Sequence, residues 1–147
     1  MKDSMFIKQL SIFVENKPGR LAEITSVLEK NNIDIRALSI ADTKDFGILR
    51  LIVNNPDVAE SALKEAGYTV SLTQVIAIGI SDKPGGLAKA MSVLYGNHIS
   101  VEYMYAFLSK RDDTAFVILR VENNEKAIEV LKNNGLQILE SSSIYSM

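Results

Sequence analysis

Two short turns carry the residue types best suited to holding a small charged ligand. Asn16-Lys17-Pro18-Gly19-Arg20-Leu21 and Asp82-Lys83-Pro84-Gly85-Gly86-Leu87 each join an alternating apolar run to a helical pattern. A glycine at a strand-to-helix turn lets a ligand approach the backbone closely. The free amides and positive dipole end of the following helix favour a carboxylate. An Asn or Asp side-chain oxygen beside them accepts hydrogen bonds from an ammonium group. That combination suits the two charged groups of a free α-amino acid. The same Asn16 and Asp82 are also candidate N-caps, a purely structural role.

Catalytic chemistry has little to work with. The 147 residues include one histidine, His98, and no cysteine, so no metal set, no triad and no poised acid–base pair is expected. Gly85-Gly86 is far from a P-loop or dinucleotide fingerprint. No enzyme activity and no cofactor are expected. His98 falls at a helix end and reads as an exposed residue without chemistry. A net charge of −2 argues against nucleic acid and anionic membrane as partners. The absence of cysteine, of a signal-peptide pattern and of a membrane-length apolar run fits a cytoplasmic protein.

The two turns belong to a longer duplication. Residues 16–35 and 82–101 match at ten of twenty positions at a constant offset of 66, where average composition would give about one or two. Each copy reads β-α-β-β-α-β. In the first, 6–14 is a strand with Leu10, Ile12 and Val14 on one face and Phe13 on the other. A helix to about Asn31 follows, its stripe Leu21, Ile24, Val27 and Leu28. Strands 33–41 and 46–53 flank a turn at Asp42-Thr43-Lys44-Asp45, with Ile33, Ile35 and Ala37 on one side. Asn55-Pro56 opens a second helix with a stripe of Val58, Ala59, Ala62, Leu63 and Ala66, Gly67 stops it, and 68–72 is a fourth strand.

The second copy runs through strand 75–80, helix 85–97, strand 99–108, a strand at Phe116–Arg120, helix 125–134 and strand 136–144. Phe116-Val117-Ile118-Leu119-Arg120 aligns with Phe46-Gly47-Ile48-Leu49-Arg50 at an offset of 70, which implies a hairpin about four residues longer. Tyr103 and Tyr105 are expected to share a face with Ile99, Val101 and Phe107, and Arg50 and Arg120 to make interface salt bridges. The fold class is α+β, two ferredoxin-like βαββαβ units over 1–73 and 74–147, with antiparallel sheets and helices on one face. The other face stays apolar, through Phe46, Ile48 and Ile52 in one copy and Phe116 and Ile118 in the other. An uncovered apolar face predicts sheet-to-sheet packing in a homodimer.

The Asn16-to-Leu21 motif, followed after one helix by Asn32-Ile33-Asp34-Ile35 in this frame, resembles the ACT domain, the amino-acid-binding regulatory module of amino-acid metabolism. Asp82-to-Leu87 with Ile99-Ser100-Val101 resembles a second copy. The resemblance implies a free L-amino acid effector held between two such domains, gripped by the turn of one and the start of the second strand of its neighbour. Carried over, Asn16, Lys17, Pro18, Gly19, Arg20 and Leu21 form one turn, with Asp34 and Ile35 on the facing strand. Asp82, Lys83, Pro84, Gly85, Gly86 and Leu87 form the other, with Ser100 and Val101. The family often has Asn where Asp34 and Ser100 stand, and Gly86 in place of Arg20 makes the turns unequal. An alternative resemblance is to the regulatory subunit of acetolactate synthase, a non-catalytic partner of a biosynthetic enzyme.

Overall fold

The computed structural model describes residues 2–42 and 44–147. Thr43, in the expected Asp42–Asp45 turn, lies outside the described residues. The element order is β1 Ile7–Glu15, α1 Arg20–Lys30, β2 Ile35–Asp42, β3 Phe46–Val53, α2 Pro56–Glu65, β4 Thr69–Ser81, α3 Gly86–Gly96, β5 Val101–Ala106, β6 Thr114–Val121, α4 Asn124–Asn133, β7 Gln137–Ile138 and α5 Ser141–Tyr145. The chain divides into two compact units. One is Lys8–Thr73 with Tyr145–Met147, and the other is the chain up to Ile7 with Gln74–Ile144.

In the first unit the strand order is β2-β3-β1-β4, with β3 antiparallel to both β1 and β2. Leu10, Ile12, Val14, Leu49, Leu51 and Val53 turn one face toward Ile24 and Leu28 of α1 and Ala59 and Leu63 of α2. Each Leu, Ile or Val among them, fully buried, contributes roughly 1.5–3 kcal/mol. Asn55 caps α2 through its side-chain oxygen, which accepts from the Val58 N–H, and Pro56 takes the first turn. Val58 stays exposed at the helix start.

The second unit orders its strands β5-β6-β4-β7. Ile76, Ile78, Val117, Leu119 and Val121 pack with Ala90 and Leu94 of α3 and Ala127, Ile128 and Leu131 of α4. Met5 and Phe6, from the chain's start, pack against this cluster. Strands 68–72 and 75–80 of the sequence reading are one strand, β4, whose early residues Val70 and Leu72 serve one core and whose later Ile76 and Ile78 serve the other.

Several expectations are corrected. The strand foreseen over 136–144 stops after Ile138, and Ser141–Tyr145 is a short helix. Serine hydroxyls compete with a strand ladder for backbone hydrogen bonds, and the Ser143 and Ile144 N–H groups both turn back to the Glu140 carbonyl. A register shift between Ile35 and Ala37, repeated between Val101 and Tyr103, flips the faces beyond it. Ala37 thus pairs with Ile52 and Tyr103 with Arg120, on the face away from Ile35 and Val101. Tyr103 and Tyr105 stack there at 6.5 Å between ring centroids.

The hairpin insertion is also smaller than expected. Phe13 pairs with Ile48, and Gly79, the counterpart of Phe13, pairs with Phe116. Phe116 therefore answers to Ile48, and the insertion is two residues. Arg120 answers to Ile52, and it pairs inside its own unit, with Nε 3.4 Å from Glu102 and Nη1 donating to the Gln74 carbonyl at 3.1 Å. Finally, Phe116 and Ile118 are 8% and 0% exposed and Ile52 is 0% exposed, so none of them is part of a bare face. Phe13 and Phe46, each 46% exposed with rings 5.0 Å apart, are what remains open, together with Ile48.

Candidate functional site

The first turn is built by its backbone. The N–H of Asn16 donates to the Asp45 carbonyl at 2.9 Å and that of Lys17 to the Glu15 carbonyl at 2.8 Å. Gly19, at φ 86°, is the N-cap of α1, and its carbonyl accepts from the Glu23 N–H at 3.0 Å. Its left-handed backbone is a conformation that a side chain would strain. Asn16 is not the cap. Its side-chain Nδ2 donates to the Lys44 carbonyl at 3.0 Å and ties the turn to the β2–β3 hairpin.

Around this turn is a cavity of about 150 Å³ lined by Val14, Glu15, Asn16, Lys17, Arg20, Leu21, Ile40, Asp42, Gly47 and Leu49. It carries both signs of charge beside an apolar wall. Leu21, expected in the core stripe, is 44% exposed and lines this cavity with Ile40, itself 47% exposed. Lys17 Nζ lies 2.8 Å from Glu15 Oε2, and this hydrogen bond holds the Glu15 carboxyl below its ordinary value of 4.5. Arg20 Nη1 donates to Glu23 Oε2 at 3.3 Å, and Tyr68 Oη donates to the same oxygen at 2.6 Å. The Tyr68 hydroxyl, and Arg20 after it, lower the Glu23 carboxyl. Desolvation, then Glu23, raises the Tyr68 hydroxyl. A second hollow of about 180 Å³, lined by Phe13, Glu15, Arg20, Glu23 and Ala66–Thr69, shares Arg20 and Glu15 with the first.

The second turn differs. Gly85, at φ 94°, is again the N-cap in place of the expected Asp82, which forms an ion pair with Lys110. Gly86 runs so close to Ser81 that a β-carbon would overlap the Ser81 carbonyl oxygen. Lys83 and Pro84 are exposed and Leu87 is half-buried.

The facing-strand residues lie elsewhere. Asp42 pairs with Gly47 and Ile35 with Val53, six residues along β3, so the start of β2 is about 20 Å from the turn at ~3.3 Å per residue. Asp34 donates its N–H to Asn54 Oδ1 at 2.9 Å and forms an ion pair with Arg36, and Ile35 packs on the core. Val101 likewise packs on its core. Ser100 lines a separate cavity of about 660 Å³ with His98, Arg120 and the start of α4. Neither unit by itself joins its turn to its strand start. Glu15, Glu23, Ile40, Asp42 and Tyr68 were missed in the sequence. Only Glu23 had a local signal, its i, i+3 spacing from Arg20.

A family model described as an ACT domain pair matches residues 5–147. Among solved structures, protein BT0572 from Bacteroides thetaiotaomicron is 45% identical, with a TM-score of 0.91 over 97% of this chain and 98% of that one. The ligand-free regulatory subunit of aspartate kinase from Thermus thermophilus is 16% identical, with a TM-score of 0.62 over 87% and 92% of the two chains. The corresponding subunit from Thermus flavus is 15% identical, with a TM-score of 0.57 over 86% and 92%. At such identities the likeness is one of fold. No curated protein matches the sequence.

Proposed function

This chain belongs to the ACT domain pair family, and from that premise we propose that it binds a free L-amino acid at the turn from Asn16 to Leu21 and acts as a non-catalytic regulator in amino-acid metabolism. The observation that carries the reading is the first-turn cavity, lined by Lys17 and Arg20, by Glu15 and Asp42, and by Leu21 and Ile40. A zwitterion needs both charges, and its side chain needs the apolar wall. In this reading Asp34 and Ile35 serve a turn on a neighbouring domain. Asp82 to Leu87, with Ser100 and Val101, stand at the corresponding positions of the second copy. Occupancy is transmitted by differential affinity for two assembly states, since equal affinity would shift nothing.

Thermal unfolding against each common L-amino acid tests this. A ligand at a hundred times its dissociation constant adds about 2.7 kcal/mol, which raises the midpoint by several degrees. Gly19→Val should abolish the shift. An identical shift in that variant would remove the turn from the site.

The exposed Phe13, Phe46 and Ile48 favour an additional role in assembly. They supply a contact surface for a homodimer or for a biosynthetic enzyme, as a regulatory subunit of acetolactate synthase would. Among the described residues no helix is long and apolar enough to cross a membrane, and the cytoplasm is the proposed compartment. Sedimentation of Phe13→Ser at micromolar concentration, if unchanged from the parent chain, would exclude this face from the dimer.

A further inference from the structure

The contacts joining Arg20, Glu23 and Tyr68 exist in one copy of the duplication. Sixty-six positions after Arg20 and Glu23 stand Gly86 and Lys89, and the residue after Gly135 that answers to Tyr68 is Leu136. All three partners differ together, while Lys-Pro-Gly is kept and the helix stripe stays apolar. Stability gives no reason for the difference, because an exposed ion pair contributes little. The second copy also has no room to regain the arginine, since any side chain at Gly86 would overlap the Ser81 backbone. The trio therefore bears on what the first turn holds.

Arg20 lines both first-copy hollows. Its guanidinium has five donors in a planar fork. Glu23 Oε2 engages Nη1, and the Tyr68 hydroxyl donates to that same oxygen and so holds the carboxylate in place. A fork steadied on one edge presents the other to a ligand carboxylate with little further loss of freedom. The same cavity is lined by Leu21, Ile40 and Leu49. The cavity, at about 150 Å³, is well below the ~300 Å³ where drug-sized sites begin.

Building on the amino-acid reading above, we propose that the first turn takes a small aliphatic L-α-amino acid, carboxylate on Arg20 and side chain against Leu21, Ile40 and Leu49. Glu23 and Tyr68 are positioning residues for that arginine. The second turn is not an effector site, so the chain binds one effector.

Calorimetric titration of the full chain with L-alanine, L-valine, L-leucine, L-phenylalanine, L-glutamate, L-lysine and L-valinamide tests this. An aliphatic acid should bind best, one per chain, with valinamide more than tenfold weaker because it lacks the charge-assisted bond. Arg20→Gly, and Arg20→Gln as a variant that keeps the helix start, should each weaken valine more than tenfold and close the gap to valinamide. Tyr68→Phe should narrow that gap several-fold, which a merely structural tyrosine would not do. Two sites per chain, a preference for charged or aromatic ligands, or an unchanged acid-to-amide ratio in the variants overturns the inference and leaves amino-acid binding standing. No binding by any amino acid overturns that reading and the inference with it.

Discussion

Asn32 and His98 hold the same left-handed backbone, φ 57° and 60°, at the ends of corresponding helices. Each helix closes with paired bonds: Ile33 N–H to the Leu28 carbonyl at 2.9 Å and Asn32 N–H to Glu29 at 3.0 Å, then Ile99 to Leu94 at 2.9 Å and His98 to Tyr95 at 3.1 Å. The other two long helices place Gly67 and Gly135 at this position. Relief of left-handed strain, ~1–2 kcal/mol, exceeds the ~0.4–1 kcal/mol of chain entropy that glycine adds to the unfolded state. His98→Gly should therefore stabilise by about 0.5 kcal/mol in urea denaturation, and Asn32→Gly by less, because Asn tolerates the region. A destabilised His98→Gly would mean that the imidazole contributes to folding.

Gly19 and Gly86 should separate strain from collision. Nothing lies within 4 Å of a β-carbon built on Gly19, whose cost is its φ of 86° alone, about 1–2 kcal/mol for Gly19→Ala. Gly86→Ala must push back the Ser81 backbone and should cost about 3 kcal/mol or more, at the upper end of overpacking. Equal denaturation midpoints for the two variants would refute the close approach.

Acid should weaken the first turn through Glu15 and Glu23. Both carboxyls are held below 4.5 by contacts made in the folded chain, with Lys17 for one and Tyr68 then Arg20 for the other. Their stabilisation is complete above 4.5 and is lost as pH falls through the depressed values. Carbon-13 titration of the Glu23 carboxyl should show its midpoint rising toward 4.5 in Tyr68→Phe. A midpoint that stays put would exclude the hydroxyl as the main cause.

Tyr145 acts at the alkaline end. Its hydroxyl oxygen accepts from the Lys8 N–H at 3.0 Å, and its carbonyl accepts from Arg36 Nη2 at 3.1 Å. Desolvation raises its ionisation above 10.0, so its contribution holds below 10 and fades as pH rises through the folded value. Tyr145→Phe should cost about 1 kcal/mol at neutral pH and flatten part of the alkaline loss, read by circular dichroism.

What could be read in the sequence was what short-range periodicity and turn chemistry encode. Leu10, Ile12 and Val14 at period two, and Ile24 and Leu28 at helical spacing, fixed which faces are buried. Asn55-Pro56 marked a cap that is present. The failures share a cause, which is that pairing register is not written locally. The bulges at Ile35 and Val101 reverse the face of Ala37 and Tyr103 without any glycine or proline to announce them. The likeness of Phe46–Arg50 to Phe116–Arg120 suggested an alignment that strand pairing shifts by two. At the site, the two Lys-Pro-Gly turns were evident, but Tyr68 reaches Glu23 across 45 positions, a distance that only folding closes.

The ends of the chain are exchanged between the units: Met5 and Phe6 pack with the later core, while Tyr145 is bonded to Lys8 and Arg36 of the earlier one. No single cut therefore yields two complete halves. A fragment ending at Thr73 would carry two orphaned apolar residues and lack the tyrosine that closes the start of β1, and its complement would show the reverse defects. The duplicated sequence therefore does not divide, at the boundary between its copies, into two self-contained modules.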